Sequence, residues 1–387
     1  MKRTTALFFI LGLCTLFSCS NKERESYVWS HVWQDADGVY KHYRIPAIIV
    51  TQNETVLIFC EGRSGRDASD IDLLVRRSED NGRSWSEQAI VWEDENNTCG
   101  NPCPVIDEET GRIILFMSWN LFEEGGRTVV TKSGKDTRRP FMCYSDDDGL
   151  TWSEPLDMTA SCKDPDWGWY ATGPGVGIQL RSEKYKNRLV IPANHSYTVK
   201  APDEPVIVEG YGYGAHALLS DDGGATWRMS LPITPGCNES QVVELVDGAL
   251  MMNMRSYQPR GLRSIATSID GGETWTEARQ HDQLPEPTCQ GSFLRYTTVE
   301  DGGGNRLLFS NPPNPLDRRD HLTVKLSYDE GRTWPVSRLI CEGPSGYSCL
   351  TILPDKSIGL LYDKDKSKTL TFARFTLDWL TDGKDSL

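Results

Sequence analysis

The octapeptide Ser78-Glu-Asp80-Asn-Gly82-Arg-Ser84-Trp85 recurs four more times along the 387-residue chain with unchanged spacing. Each copy fits the consensus S-x-D-x-G-x-[ST]-W, and the further copies begin at Ser145, Ser220, Ser268 and Ser327. The aspartate can accept hydrogen bonds from N–H groups inside a tight turn, and the glycine supplies a positive φ without steric cost. The tryptophan buries a large ring where the next strand begins. Because apolar or β-prone segments flank the copies, each copy is predicted to join two strands.

The spacing of these five copies predicts the architecture. Their first residues lie 67, 75, 48 and 59 positions apart. Such intervals hold roughly one four-stranded sheet each, the pattern of a β-propeller with long loops on one face. The chain after Tyr27 has about 360 residues, which suits six blades. No long amphipathic helix is evident, and strands are predicted at 47–50, 56–60, 113–117, 189–191, 307–310, 360–362 and 370–375.

We therefore expect an all-β, six-bladed β-propeller. The sixth blade lacks a copy of the repeat, so segments 27–50 and 343–375 are expected to close the ring by pairing strands from both ends. The five repeat aspartates are predicted to be structural, because their chemistry is that of a turn.

The N-terminal residues are read as a targeting segment. Lys2 and Arg3 precede an apolar run over 6–17 that is too short to span a bilayer. The sequence Leu16-Phe17-Ser18-Cys19 resembles a bacterial lipobox, although plain signal cleavage is the alternative. We predict a signal peptide over 1–18, a tether over 19–26 and one domain over 27–387. The product would be exported to the bacterial periplasm, outer membrane or cell surface, with membrane attachment only through a lipid on Cys19.

Charge and cysteine content exclude several functions. The net charge of −14 argues against a nucleic-acid partner, which would require a basic face. Two of the eleven cysteines belong to the leader, and Cys99 and Cys103 lack a second Cys or His pair that would complete a zinc site. The six histidines show no metal-ligand spacing. We expect buried free thiols, no metal, no cofactor and a monomer.

Motifs between the repeats carry a family resemblance over most of the chain after the leader. Together, in this order and among the repeats, they resemble the bacterial exo-α-sialidase (neuraminidase) family, whose repeat is called the Asp-box. The motifs are Tyr43-Arg44-Ile45-Pro46, Cys60-Glu61-Gly62-Arg63, Asp67-Ala-Ser-Asp70-Ile71, Asn101-Pro-Cys-Pro104, Asn238-Glu239-Ser-Gln241, Asn253-Met-Arg255-Ser256, Cys289-Gln290-Gly291-Ser292, Arg319-Asp-His-Leu322 and Gly346-Tyr347-Ser348. The resemblance implies a six-bladed propeller that hydrolyses terminal sialic acids from sialylated glycans.

The resemblance also implies an arginine triad. Sialic acid carries a carboxylate on its anomeric carbon, and planar guanidinium groups bind carboxylates in bidentate fashion. The matching residues are Arg44, Arg255 and Arg319. Arg318, which precedes the third, is the alternative for that position.

By the same resemblance, Tyr347 is the nucleophile and Glu239 is its base. Sialidases differ from most retaining glycosidases in using tyrosine. A neutral tyrosine can approach an anionic sugar without like-charge repulsion, but its ordinary pKa of about 10 requires a neighbouring base. Asp67 is predicted to protonate the leaving oxygen and later to activate water, and Asp70 is the alternative.

Three further residues are implied to contact substrate, namely Arg63, Asn101 and Gln290, with Glu61 orienting an arginine. Competing hypotheses remain. A propeller glucanase would leave the arginines and Tyr347 without a role. A sialic-acid-binding lectin would keep the arginines but would not need Tyr347, Glu239 or Asp67. A trans-sialidase or intramolecular trans-sialidase would share the site and differ in the acceptor.

Overall fold

The computed structural model describes residues 26–34, 38, 40–122, 124–202, 204–315 and 318–387. The predicted signal peptide and Cys19 lie outside these residues. Within these residues helix is confined to short pieces, namely α1 (Gly126–Val130), α2 (Thr159–Cys162), α3 (Leu377–Leu380) and a 3-10 turn (Glu183–Tyr185). In the described ranges, no helix has the length and apolar character needed to cross a bilayer. The all-β prediction is confirmed.

The strands follow one another in chain order. The first nine are β1 (Tyr27–Gln34), β2 (His42–Val50), β3 (Val56–Arg63), β4 (Ile71–Ser78), β5 (Ala89–Trp92), β6 (Thr98–Ile106), β7 (Ile113–Asn120), β8 (Arg139–Ser145) and β9 (Leu156–Asp157). The next nine are β10 (Tyr170–Thr172), β11 (Ile178–Gln179), β12 (Leu189–Thr198), β13 (Tyr211–Ser220), β14 (Arg228–Met229), β15 (Cys237–Glu244), β16 (Leu250–Ser256), β17 (Leu262–Ser268) and β18 (Arg279–Pro285). The last six are β19 (Ser292–Thr297), β20 (Arg306–Asn311), β21 (Asp320–Ser327), β22 (Val336–Ile352), β23 (Ile358–Lys364) and β24 (Thr369–Phe375).

Apart from the two-residue strand β11, which also pairs with β12, these strands form six four-stranded antiparallel units. The units are β2-β3-β4-β5, β6-β7-β8-β9, β10-β12-β13-β14, β15-β16-β17-β18, β19-β20-β21-β22 and β22-β23-β24-β1. The 17-residue strand β22 serves two units, because its first half pairs with β21 and its second half with β23. A single parallel bridge between Ile71 and Thr98 links the first two units.

The repeat occupies the same place in five units, between the third and the fourth strand. In the sixth unit β24 is third, and the fourth strand, β1, comes from the opposite end of the chain, with Tyr27 opposite Phe375. The predicted pairing of strands from both ends is confirmed, and it explains the missing sixth copy. No hairpin connects β24 to β1, so no turn of this kind is needed there.

The third copy illustrates the chemistry of the turn. Ser220 Oγ donates to Asp222 Oδ1 at 2.9 Å and accepts from Gly224 N at 2.9 Å. The N–H and the hydroxyl of Thr226 donate to the two oxygens of Asp222 at 2.9 and 2.6 Å. Gly224 has φ +89°, and a Cβ there would meet Ile114 Cδ1 at 2.1 Å. The repeat aspartate is therefore used within its own turn.

The core lies between neighbouring units. Ile114 and Phe116 of β7 pack with Leu189 and Ile191 of β12, and the repeat tryptophan Trp227 meets Phe116 edge-on at 4.7 Å between ring centroids. Burial of such apolar surface stabilises the fold by about 25 cal/mol per Å². The cysteines of the described residues are buried free thiols, as expected: Cys60, Cys99, Cys103, Cys143, Cys162, Cys237, Cys289, Cys341 and Cys349.

Candidate active site

Four of the six units carry a β-bulge in their first strand, at the end remote from the Asp-box turns. The bulges lie between Arg44 and Ala47, Gly100 and Cys103, Cys237 and Ser240, and Ser345 and Ser348. Bulges occur next to active sites because they re-aim side chains. Each bulge includes one residue that the sequence singled out, namely Arg44, Asn101, Glu239 and Tyr347.

Backbone strain accompanies two of these bulges. Ile45 has φ +60° and Asn101 has φ +55°. For a β-branched residue such as Ile45 this conformation is an outlier that persists only when the surroundings enforce it. Ile45 packs with Cys289 and Tyr347 in a small buried cluster, which holds the neighbouring Arg44 at the site.

Tyr347, Glu239 and Arg255 form one hydrogen-bonded group. The hydroxyl of Tyr347 donates to Glu239 Oε1 at 2.5 Å. Arg255 Nη1 donates to Glu239 Oε2 at 2.9 Å and to Tyr347 Oη at 3.1 Å. Arg255 Nη2 donates to Tyr257 Oη at 2.8 Å. A tyrosine hydroxyl thus lies between a carboxylate that can accept its proton and a guanidinium that can stabilise the phenolate.

The other two arginines approach the same ring. The Cζ atoms of Arg44 and Arg319 lie 5.3 and 5.6 Å from the centroid of Tyr347. Arg319 Nη2 also donates to the carbonyl of Thr288 at 2.9 Å. Arg318, by contrast, is exposed. Three guanidinium groups therefore surround Tyr347, and they come from β2, from β16 and from the residue before β21.

Burial raises the pKa of Tyr347 well above its usual value, and the Glu239 carboxylate raises it further. Arg255 and Arg319 act in the opposite direction. The hydroxyl therefore keeps its proton in the free protein, and Glu239 is the group placed to accept it when charge develops.

Asp67 lies on the loop between β3 and β4, above two of the site arginines. Arg63 Nη1 donates to Asp67 Oδ1 at 2.5 Å, and Arg44 Nη1 donates to the same oxygen at 3.4 Å. The Asp67 side chain is 74 % exposed to solvent. Partial desolvation by the surrounding protein raises its pKa, but the charges of Arg63 and Arg44 outweigh that effect and bring the pKa to about 2. Asp70 lies instead near Asp72, at the start of β4.

Glu61 orients Arg63 and holds the bulge of β6. Its Oε2 accepts from Arg63 Nε at 2.7 Å, and its Oε1 accepts from the backbone N–H of Asn101 at 2.7 Å. A Cβ on Gly100 would meet Glu61 Oε1 at 2.2 Å, so only glycine allows this approach. The side chain of Asn101 accepts a hydrogen bond from Arg138 Nη2 at 2.6 Å.

The side chain of Gln290 makes its hydrogen bonds to the backbone of the protein. Its Nε2 donates to the carbonyls of Ser348 at 3.0 Å and Pro174 at 3.2 Å, and its Oε1 accepts from Ser348 N at 3.0 Å. With 1 % of its surface exposed, Gln290 supports the strand segment that carries Tyr347. Its contact with substrate stays a prediction.

The sequence interpretation did not single out Asp363. This buried residue of β23 lies 3.6 Å from Arg44 Nε. Burial raises its pKa to about 6, although Arg44 and Arg63 oppose the shift. The sequence did offer a signal for it, because an acidic residue directly follows the apolar run 360–362. Buried carboxylates are rare unless they are paired, so a carboxylate in that place predicts a cationic partner.

A wall of alternating rings and cations links Arg138 to Arg255. Arg138 Cζ lies 4.5 Å from the ring of Trp169, and Arg255 Cζ lies 5.2 Å from the ring of Tyr257. Tyr213 stands between these two rings, 6.4 Å from Trp169 and 5.2 Å from Tyr257. Trp169 and Tyr213 lie in the segment between the second and the third Asp-box turns, and Arg138 and Tyr257 are not among the residues predicted from the sequence.

Within the described residues, no group of three or more His, Cys, Asp or Glu side chains is arranged to hold a metal ion. The polar groups of the site are guanidinium, carboxylate and phenol groups. This set can bind an anion, transfer protons and supply an oxygen nucleophile.

Comparisons with known proteins agree with this arrangement. A family model described as a BNR repeat-like domain matches residues 54–362. The sialidase of Micromonospora viridifaciens is 34 % identical over 355 residues, which cover 88 % of this chain and 52 % of that protein. The exo-alpha-sialidase of Arthroderma benhamiae is 32 % identical over 390 residues, which cover 91 % of this chain and 87 % of that protein.

Among solved structures, the Hadza microbial sialidase Hz136 superposes with a TM-score of 0.79 at 33 % identity, covering 91 % of this chain and 69 % of that one. The chain belongs to the sialidase family, and the family resemblance of the sequence motifs is confirmed. It spans about half the length of the Micromonospora relative.

Proposed function

We propose that this protein is an exo-α-sialidase that releases terminal sialic acids from glycoproteins, glycolipids and oligosaccharides with retention of configuration. One observation carries the proposal: the Tyr347 hydroxyl donates to Glu239 at 2.5 Å while three guanidinium groups surround the same tyrosine. A carboxylate-bearing sugar would bind to Arg44, Arg255 and Arg319 and bring its anomeric carbon towards Tyr347.

In the first step Tyr347 Oη attacks the anomeric carbon and its proton passes to Glu239. The bond from that carbon to the leaving oxygen breaks, and Asp67 protonates this oxygen. The phenolate character that develops on Tyr347 is stabilised by Arg255, which already donates to the hydroxyl. The product is a covalent glycosyl–tyrosine intermediate, as expected for a retaining mechanism.

In the second step water attacks the anomeric carbon, Asp67 accepts a proton from it, and the bond to Tyr347 breaks as Glu239 returns its proton to Tyr347 Oη. The first step requires Asp67 to hold a proton in the bound state, although its pKa is about 2 in the free protein. Bound substrate supplies the change, because its carboxylate neutralises Arg44 and its bulk excludes water from Asp67. Both effects raise the pKa of a carboxyl group.

The test is to incubate the purified protein with an α-sialoside and follow the released sugar by NMR. Early release of the α-anomer of free sialic acid would support hydrolysis with retention. An anhydro sugar, or transfer to an added galactoside, would reassign the protein as an intramolecular trans-sialidase or a trans-sialidase. Saturable binding without release would indicate a lectin. The absence of both binding and release would refute a sialic-acid site.

We further propose that the six units close into a six-bladed propeller. Inner strands of neighbouring units approach one another in sequence: β2 contacts β6 and β22, β6 contacts β10 and β12, β12 contacts β15, β15 contacts β19, and β19 contacts β22. The bulges that carry the site would then gather at one end of the central axis. A crystal structure in which these strands diverge would refute the closed ring.

The signal peptide, the lipid on Cys19 and the monomeric state remain proposals from the sequence. Mass spectrometry of the protein from membranes would detect diacylglyceryl on Cys19, and Cys19→Ala would release the protein if the lipid anchors it. Sedimentation would report the oligomeric state.

A further inference from the structure

Arg263 and Glu286 form a fully buried ion pair close to the site. Arg263 Nη1 donates to Glu286 Oε2 at 2.7 Å, and both side chains are 0 % exposed. No other ion pair among the described residues has both partners fully buried. A buried pair gives little net stability compared with apolar side chains of similar volume, because both charges lose their hydration. Its presence therefore calls for an explanation other than stability.

The pair makes its other hydrogen bonds to two segments, mostly to backbone atoms. Glu286 Oε1 accepts from Ser256 N at 2.5 Å, and Arg263 Nη1 donates to the carbonyl of Cys289 at 2.6 Å. Arg263 Nε donates to Asn253 Oδ1 at 2.7 Å. The pair thus ties the end of β16 to the turn that follows β18.

Both tied segments adjoin arginines of the site. Ser256 directly follows Arg255. Cys289 directly follows Thr288, whose carbonyl accepts from Arg319 Nη2 at 2.9 Å. Thr288 has φ +51°, which is strained for a β-branched residue and requires the turn to be held from outside.

We propose that Arg263 and Glu286 are positioning residues that fix the separation and orientation of Arg255 and Arg319 for one substrate carboxylate. The proposal rests on the proposed sialidase function. Neither residue is exposed, so neither touches the sugar, and both act through the backbone of Ser256 and the 288–289 turn. Two guanidinium groups on different units can grip one carboxylate only if the units keep a constant spacing, and a rigid planar link between the segments supplies it.

The test measures carboxylate recognition rather than activity alone. Inhibition constants for free sialic acid and for its methyl ester are compared, with hydrolysis of an aryl α-sialoside as the assay. In Glu286→Gln the side-chain shape is kept, but an NH₂ group faces either Ser256 N–H or Arg263. We expect kcat/KM to fall about 100-fold. The preference for the free acid over the ester should shrink at least about tenfold.

Glu330→Gln is the matched control. Glu330 also bridges an arginine and a backbone N–H, since it accepts from Arg295 and from Val246 N at 3.0 Å, but it lies in the fifth Asp-box turn. The Glu330→Gln variant should be less stable than wild type but should keep the preference for free sialic acid over its methyl ester. All measurements are made at a temperature where circular dichroism shows each protein folded.

If Glu286→Gln does not fold, the double variant Arg263→Met with Glu286→Leu replaces it, because removing both charges together leaves no unpaired buried ion. The same loss of preference is expected. An unchanged preference in a folded variant would overturn the positioning role alone. A wild-type protein without turnover or binding of sialic acid would overturn the proposed function first, and this role with it.

Discussion

Tyr347 and Glu239 are 108 positions apart in the chain, yet the tyrosine hydroxyl donates to the glutamate at 2.5 Å. The two residues come from the bulged first strands of different units, β22 and β15. Arg255 donates to both of them, which links the three side chains into one acid–base group.

Replacing Tyr347 by phenylalanine should abolish the chemistry and spare binding. The nucleophilic oxygen is lost while all three arginines remain, so we expect kcat to fall by at least about 10³-fold with the affinity for free sialic acid largely kept. Steady-state kinetics and calorimetric titration measure the two effects. Tyr257→Phe is the control, because it also removes a hydroxyl bonded to Arg255 and should reduce kcat by no more than about tenfold. Near-normal turnover of the Tyr347 variant would refute the nucleophile assignment.

Asp67→Asn should affect substrates according to their leaving groups. Proton donation matters most for poor leaving groups, so we expect kcat for a natural sialyl-galactoside to fall about 10²–10⁴-fold. A 4-nitrophenyl sialoside, whose leaving group needs no proton, should lose much less in the first step. Asp70→Asn is the comparison, because Asp70 does not contact Arg44 or Arg63, and it should behave like wild type. Equal losses for both substrates would contradict the acid role of Asp67.

The neighbouring arginines 318 and 319 should respond differently to substitution by lysine. Arg319→Lys removes a planar fork beside Tyr347, and we expect KM to rise at least about tenfold. Arg318 is exposed, so Arg318→Lys should leave KM unchanged. The reverse result would assign the third carboxylate ligand to Arg318.

Asp363 should make a pH-dependent contribution to stability. Its pKa in the folded protein is about 6, above the ordinary value of 3.8. Its stabilising effect is therefore complete below about pH 4 and is lost as the pH rises through 6. An asparagine at this position does not titrate, so the Asp363→Asn variant should not lose stability in this way. The difference in unfolding free energy, variant minus wild type, should therefore be larger at pH 7 than at pH 4 by on the order of 2–3 kcal/mol. Urea titrations at both pH values measure it, and a difference that is independent of pH would contradict the expectation.

Asp80→Ala should reduce stability without reducing catalysis. Asp80 accepts hydrogen bonds from Ser78, Arg83 and Ser84 within its own turn. Loss of this partly exposed network should lower the unfolding free energy by about 1–2 kcal/mol. Activity measured well below the unfolding temperature should match wild type. A fall in kcat without a fall in stability would assign the Asp-box a catalytic role.

Local chemistry explains why much of the fold was predictable. The Asp-box encodes a turn in eight residues, so five hairpins and the approximate size of each sheet could be predicted from the sequence. The long strand β22 could not, because Gly343 and Pro344 suggest a break. In the structure Pro344 pairs with Asp320, where the register shifts, and its carbonyl accepts from Asp365 N at 2.9 Å, so the strand continues into the next unit.

The site was predictable only where a motif carried it. Asp67, Glu239 and Tyr347 came from the family resemblance, and the geometry brings each of them to the arginines. Arg138 and Asp363 reach the site through contacts between units far apart in sequence, for which no local pattern exists. The bulges were also invisible, because one extra residue in a strand changes the direction of a side chain without leaving a compositional signal.

The pairing of β1 with β24 has a consequence for the order in which the sheets fold during synthesis. His31 and Thr371, whose side chains are joined by a 2.9 Å hydrogen bond, are 340 positions apart. Of the described strands, β1 leaves the ribosome first and must wait for the last one, so the sheet that carries Tyr347 is completed after all the others. Contacts of such long range close slowly. A nascent or truncated chain without β24 would leave β1 and β23 with open edges, which are the surfaces that recruit strands from other molecules.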